Sequence, residues 1–250
     1  MTQKEIDRTT ETARRVSTEY IKAGAPRTIQ NGSIEAVIFD MDGVLLDSEP
    51  LHDRVNLKIL EDYGIRTDKS VTNPYVGRTS EALWNGMIEM FGLPEKAERL
   101  IARQWEMVIS ELPVSGITES DGLTGLLAEI ERKGLRASVA SSSRIAFVRA
   151  VFDHLKLWDW MESYTGGEEV QNGKPAPDIY LKAAEKLGIP PERCLAVEDS
   201  TAGILSAKTA GMITVGYKNP TSEGQDVSFA DYTVRSLWGI QTILDELTGE

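Results

Sequence analysis

Ala36-Val37-Ile38-Phe39-Asp40-Met41-Asp42-Gly43-Val44-Leu45-Leu46-Asp47-Ser48-Glu49 drives four apolar residues straight into two aspartates, one residue apart, and then a glycine. An apolar run of this length bounded by a turn signal suits a strand buried on both faces, as in a parallel sheet flanked by helices. In extended chain residues i and i+2 point to the same side. Asp40 and Asp42 are therefore expected to converge just past the carboxyl end of the strand, where open α/β sheets bind ligands. Like charges that close repel, which favours a bound cation or a proton held on one of them. Gly43 allows a sharp turn. An acidic turn with no further role fits the same residues.

Around this stretch the chain changes character twice. Residues 1–33 form an N-terminal extension with sparse apolar positions, expected as a short helix or a disordered leader, and they carry no assigned chemistry. After the aspartates, Ser48, Glu49 and Pro50 look like a helix start, and Leu51, Val55, Ile59 and Tyr63 recur every four residues up to Gly64. Two more helical stretches follow, ending at Gly92 and before Pro113, with no convincing strand between them. An all-helical block between a first strand and a later α/β pattern reads as an inserted cap, assigned to residues 49–118. From about Asp121, helices alternate with strands at Leu135–Ala140, Leu195–Val197, Ile213–Tyr217 and Tyr232–Val234. The fold class is therefore α/β: a doubly wound parallel sheet, Rossmann-like, built from residues 34–48 and 119–250 and carrying a helical cap.

Bulk properties narrow the partners. The net charge of −12, from 39 acidic and 27 basic residues, argues against nucleic acid or an anionic membrane as the general partner. No run approaches the roughly 18 apolar residues of a spanning helix, and the polar N-terminus does not resemble a signal peptide. The single cysteine, Cys194, sits in an apolar run as a small core residue, and the expected location is the cytoplasm. A monomer or weak homo-oligomer is expected.

A parallel sheet brings its carboxyl ends to one edge, and three more junctions there carry chemistry. Ser141-Ser142-Ser143-Arg144 follows a strand and offers hydroxyls and amides that suit an anion, although Ser143 also reads as a plain helix N-cap. Gly173-Lys174-Pro175-Ala176-Pro177-Asp178 holds a lysine on stiffened backbone, which taken alone could equally be solvated. Glu198-Asp199-Ser200 places two carboxylates after a strand, where oxygen ligation suits Mg²⁺ and a helix N-terminus also favours acids.

Taken in order, these four junctions resemble the motifs of the haloacid dehalogenase-like hydrolases, over residues 34 to about 245. Within that family the chain is similar to the helical-cap branch of β-phosphoglucomutases and sugar-phosphate phosphatases. The resemblance implies Asp40 as nucleophile, Asp42 as general acid and base, and Ser141 and Lys174 as catalytic holders of the phosphoryl oxygens. It implies Mg²⁺ held by Asp40, the backbone carbonyl of Asp42, Asp199 and Glu198, the last directly or through water. Gly43, His52, Arg78 and Ser142 are the candidate substrate contacts. The substrate implied is a small phosphorylated metabolite, expected to be a sugar phosphate. Mutases carry their cap arginine two residues beyond Arg78, at Ser80, and their cap lysine has no counterpart near Ala102–Gln104, which tilts the reading towards hydrolysis. The alternatives are a β-phosphoglucomutase and a catalytically silent module that binds a phosphorylated ligand.

Overall fold

Strand β2, Ala36–Phe39, is wholly buried and splits its side chains between two cores. Val37 and Phe39 join one apolar cluster, while Ala36 and Ile38 join the other on the opposite face. Period-2 alternation between two apolar layers defines a strand buried on both sides. The computed structural model describes residues 21–22, 34–75, 79–222 and 224–249.

β2 pairs in parallel with β3, Arg136–Ala140, and with β5, Cys194–Glu198. Beyond β3 lies β4, Ser163–Thr165; beyond β5 lie β6, Ile213–Tyr217, and β7, Tyr232–Val234, all parallel. The chain steps outward from β2 through β3 to β4, then crosses back to β5 on the other side of β2. That reversal makes the carboxyl end of β2 a topological switch point, where adjacent loops diverge and leave a crevice. Helices α4, Leu123–Arg132, α5, Ile145–Leu155, and α8, Trp238–Thr248, cover one face. Helices α6, Asp178–Leu187, and α7, Thr201–Ala210, cover the other, where alanines at 36, 140, 183, 184, 196 and 207 permit close packing.

The insertion comprises α1, Glu49–Asp62, α2, Ser80–Phe91, and α3, Ala97–Glu111. A buried hydrogen-bond chain ties them together. Trp84 Nε1 donates to Gln104 Oε1 at 3.1 Å, and Gln104 Nε2 donates to Asn56 Oδ1 at 2.8 Å. The outgoing and returning chains run side by side at the base, where Leu46 bridges Glu119 and Ser120 N donates to the carbonyl of Leu45. No helix among the described residues is long and apolar enough to cross a membrane.

Three features depart from the sequence reading. β4 was not anticipated: three residues with no alternating apolar pattern give little signal, and tertiary pairing with β3 supplies the strand. The extension, expected as helix or disorder, contributes strand β1 at Ile21–Lys22, antiparallel to β7. An unpaired sheet edge offers free backbone groups, and β1 satisfies part of that edge; the rest of residues 1–33 lies outside the described residues. Ser143 does not cap α5: the N-cap is Arg144, without a side-chain cap bond, and the Ser143 hydroxyl is turned elsewhere.

Candidate active site

Asp40 follows β2 directly, and its backbone N–H still donates to Val197 of β5. Its carboxylate, 7% exposed, meets the ammonium of Lys174 at Oδ1. The same Nζ reaches Glu198 Oε1 at 2.6 Å and the carbonyl of Ala140 at 3.1 Å, so all three ammonium donors are used. A cis peptide bond joins Lys174 to Pro175. One buried cation thus spans the carboxyl ends of β2, β3 and β5.

Glu198 is completely buried and saturated. Besides Lys174, its Oε1 accepts from Tyr180 OH at 2.9 Å; its Oε2 accepts from the Ser200 amide at 3.1 Å and the Ser200 hydroxyl at 2.9 Å. That hydroxyl also accepts from Gly203 N, capping α7. Gly203 is required by space: a Cβ there would lie 1.8 Å from Glu198 Oε1.

Asp199 faces the other way, towards Gly43. Gly43 has φ +83°, and a Cβ on it would lie 2.0 Å from Asp199 Oδ2, so the turn after the aspartates needs glycine for both conformation and space. The loop after β6 completes this side, with Ser222 Oγ donating to Asp199 Oδ2 and Asn219 Nδ2 donating to the carbonyl of Gly43 at 3.0 Å.

Burial drives the electrostatics. Asp40 is held well above the usual carboxylate range by burial and by the nearby Glu198, Asp199 and Asp42, with Lys174 pulling the other way. Burial pushes Asp199 up to about 6, against the opposing Ser222 hydroxyl. Burial also works against the charge on Lys174, yet Asp40 and Glu198 hold it above the usual lysine range. Ligand oxygens of Asp40, Glu198 and Asp199 lie within 4.8 Å of one another. Three carboxylates against one ammonium leave uncompensated negative charge, and an all-oxygen donor set of this kind fits a hard cation such as Mg²⁺. Because Glu198 already accepts four hydrogen bonds, Asp40 and Asp199 are the carboxylates with capacity for direct ligation.

Asp42 makes its hydrogen bonds outside this cluster. Its Oδ1 accepts from Ser48 Oγ at 2.5 Å, and its Oδ2 accepts from Ser143 Oγ at 2.8 Å. The two aspartates are therefore held differently, one among charges and the other between hydroxyls. Both line a cleft of about 1720 Å³ between the sheet edge and α1, together with Lys174, Asp199 and the exposed Ser142. Ser141 is fully buried, its Oγ accepting from Ser143 N at 3.0 Å.

His52 is not among the cleft-lining residues. Its ring stands edge-on to Trp105 of α3 and Phe147 of α5, 5.5 and 5.6 Å between centroids, and burial lowers its pKa. Arg78 lies outside the described residues. Cys194 is buried, its thiol pushed up to about 12 by burial.

Sequence reading missed Ser48 and Ser143 as partners of Asp42, and also Tyr180, Asn219 and Ser222. Tyr180 left a trace: a tyrosine on the buried stripe of an amphipathic helix needs a partner for its hydroxyl. The 219–222 loop left none.

Residues 37–217 match the family described as haloacid dehalogenase-like hydrolase. The chain belongs to the haloacid dehalogenase-like hydrolases. It is 32% identical to hexitol phosphatase B of Escherichia coli K12, over 76% of this chain and 86% of that protein. It is 34% identical to Protein SUPPRESSOR OF QUENCHING 1, chloroplastic, of Arabidopsis thaliana; the match covers 87% of this chain and 21% of that much longer protein. The crystal structure of β-phosphoglucomutase from Clostridium difficile superposes with a TM-score of 0.68 at 25% identity, covering 87% of this chain and all of that one. Relatives of this family member thus include both a phosphatase and a phosphomutase.

Proposed function

We propose that the protein is a Mg²⁺-dependent phosphatase for a small phosphorylated metabolite, a sugar or polyol monophosphate, acting through an aspartyl phosphate on Asp40. The observation that carries this reading is the division of labour between the two aspartates. Asp40 sits against Lys174, which engages Oδ1, and no hydrogen bond among the described residues engages Oδ2. Asp42 faces the same cleft from a separate, hydroxyl-lined position.

In the proposed reaction, Asp40 attacks phosphorus and the bond to the leaving alcohol oxygen breaks. Asp42 donates its proton to that oxygen, then accepts one from the water that attacks the aspartyl phosphate, releasing inorganic phosphate. Lys174, fixed by Glu198, places positive charge beside the transferring group, and Ser141 and Ser142 stand at the start of α5, where amides favour an anion. Asp40, Asp199 and the carbonyl of Asp42 would hold Mg²⁺, which supplies the charge that lets a phosphate dianion approach carboxylates. Residues 49–118 are proposed as the cap that selects the substrate, with His52 supporting it from the interface with the core. Arg78 is kept as a proposed substrate contact.

The test is phosphate release from a panel of phosphomonoesters with and without Mg²⁺; turnover that depends on Mg²⁺ and vanishes in Asp40→Asn is expected. Likeness to a β-phosphoglucomutase structure favours a second reading, intramolecular transfer on β-glucose 1-phosphate. Formation of glucose 6-phosphate, primed by β-glucose 1,6-bisphosphate and outpacing phosphate release, would decide for it.

A further inference from the structure

The cleft wall opposite the aspartates is formed by α1 and the loop after it, and its charges are distributed in a particular way. Arg54 and Lys58 line the wall, yet both are bound to Glu111 of α3, at 3.3 and 2.9 Å. Arg66 lies 3.8 Å from Glu61. Lys174 is fully used by Asp40, Glu198 and Ala140. Only Lys69, in the loop after α1, lines the cleft without an ion pair among the described residues.

Glu49 is the opposite case. It is the first residue of α1, exposed on the cleft, and its carboxylate makes no hydrogen bond or ion pair among the described residues. Partial burial and the surrounding Asp42, Asp53, Asp47 and Asp199 push it up to about 7. Asp53, one turn further along α1, is already engaged by Thr72 Oγ1 at 3.1 Å. The carboxylate that opens α1 on the cleft is therefore unengaged, while Arg54 and Lys58 are held on Glu111 and Arg66 on Glu61.

We infer that Glu49 is a specificity-determining residue, accepting a hydroxyl of the leaving group and discriminating against substrates whose non-reacting end is anionic. The substrate class it selects is the monophosphate of a neutral polyhydroxylated compound. A second phosphate or a carboxylate placed beside Glu49 would face Glu49 and Asp53, since Lys69, the one lining cation outside an ion pair among the described residues, lies in the loop past the far end of α1; like charges at close range in a partly desolvated cleft repel. A neutral polyol offers donors that Glu49 lacks in the free protein. This inference rests on the phosphatase reading above.

The experiment compares steady-state kinetics of the wild type, Glu49→Gln and Glu49→Lys with Mg²⁺ on three probes. These are sorbitol 6-phosphate, neutral beyond its ester; 3-phosphoglycerate, with a carboxylate; and p-nitrophenyl phosphate, with no hydroxyl to recognise. Gln keeps an acceptor oxygen but not the charge, and the difference between a charged and a neutral hydrogen bond predicts a fall in kcat/KM for sorbitol 6-phosphate of about tenfold in Glu49→Gln. p-Nitrophenyl phosphate turnover should stay within about twofold, which also reports an intact fold. Glu49→Lys should raise the preference for 3-phosphoglycerate over sorbitol 6-phosphate by at least about tenfold relative to wild type. Equal losses on all three probes, or no change on sorbitol 6-phosphate, overturn the role of Glu49 and leave the phosphatase reading standing. Absence of wild-type turnover on every probe overturns both.

Discussion

The carboxyl edge of the sheet and the cap wall facing it are both crowded with charged side chains, and they treat that charge in opposite ways. At the sheet edge, Asp40, Glu198 and Asp199 are buried, the Lys174 side chain is 8% exposed, and all four are bonded to groups from several strands and loops. On the cap, Arg54, Lys58 and Glu111 pair at the surface, with side chains 48%, 56% and 21% exposed. Buried ionic groups cost much to leave unpaired, whereas exposed pairs are worth about 0–1 kcal/mol. Evolution can therefore rewrite the wall cheaply and must keep the sheet edge as a unit. On the proposed reading, chemistry belongs to the sheet edge and substrate choice to the wall facing it.

Substitutions should separate the two regions by size of effect. Asp40→Asn is expected to reduce turnover by about 10⁴-fold or more, because in the proposed mechanism Asp40 forms the covalent intermediate; a circular-dichroism melt near that of wild type would show that the loss is chemical. Activity retained in that variant would break the contrast at its strongest point. Lys174→Met should cost roughly 10²- to 10³-fold in kcat. Removing one member of a buried ionic cluster should also cost about 3–5 kcal/mol in a denaturant titration. Gly203→Ala touches no reacting group, yet its Cβ would lie 1.8 Å from Glu198 Oε1. Displacing Glu198 loosens Lys174, so a stability loss of about 1–3 kcal/mol with a parallel fall in kcat is expected.

The pH dependence of metal stabilisation probes the same edge. Asp199 is held at about 6 against an ordinary 3.8. Its folded pKa is raised, so its contribution to stability is full below about pH 4 and is lost as pH rises through 6, by about 3 kcal/mol for this group alone. A cation that binds the ionised form offsets that loss. Melting temperature after EDTA treatment should therefore rise more on adding Mg²⁺ at pH 7.5 than at pH 5.0; equal shifts would remove Asp199 as a ligand. At the small end, Glu111→Gln frees Arg54 and Lys58 and should change stability by no more than about 1 kcal/mol. A larger loss in thermal unfolding would show that the cap's charges carry structural weight.

Legibility followed chain distance. The strand that ends at Asp40 could be read from four consecutive apolar residues, and Lys174, Glu198 and Asp199 from short local patterns at strand ends. The structure brings these residues together. Their supports come from far along the chain: Asn219 reaches the carbonyl of Gly43 across 176 positions and Ser143 reaches Asp42 across 101. No local pattern encodes such a pairing. Ser143 is the instructive case, since its local setting favours an N-cap while the tertiary fold offers a carboxylate. β4 was illegible for the same reason, being a strand only because β3 lies beside it. His52 could be placed at a helix start but not between two aromatic rings that arrive from α3 and α5.

The two ends of the sheet bear on how copies of this protein behave in crowded solution. Among the described residues one end finishes in β1, Ile21–Lys22, and the other in β4, three residues long. Short margins give another chain little backbone to add to, so the apolar strands in the middle are kept from templating self-association. With a net charge of −12 adding mutual repulsion, concentrated samples should stay dispersed, and the sheet's interior pairing remains a private matter of one molecule.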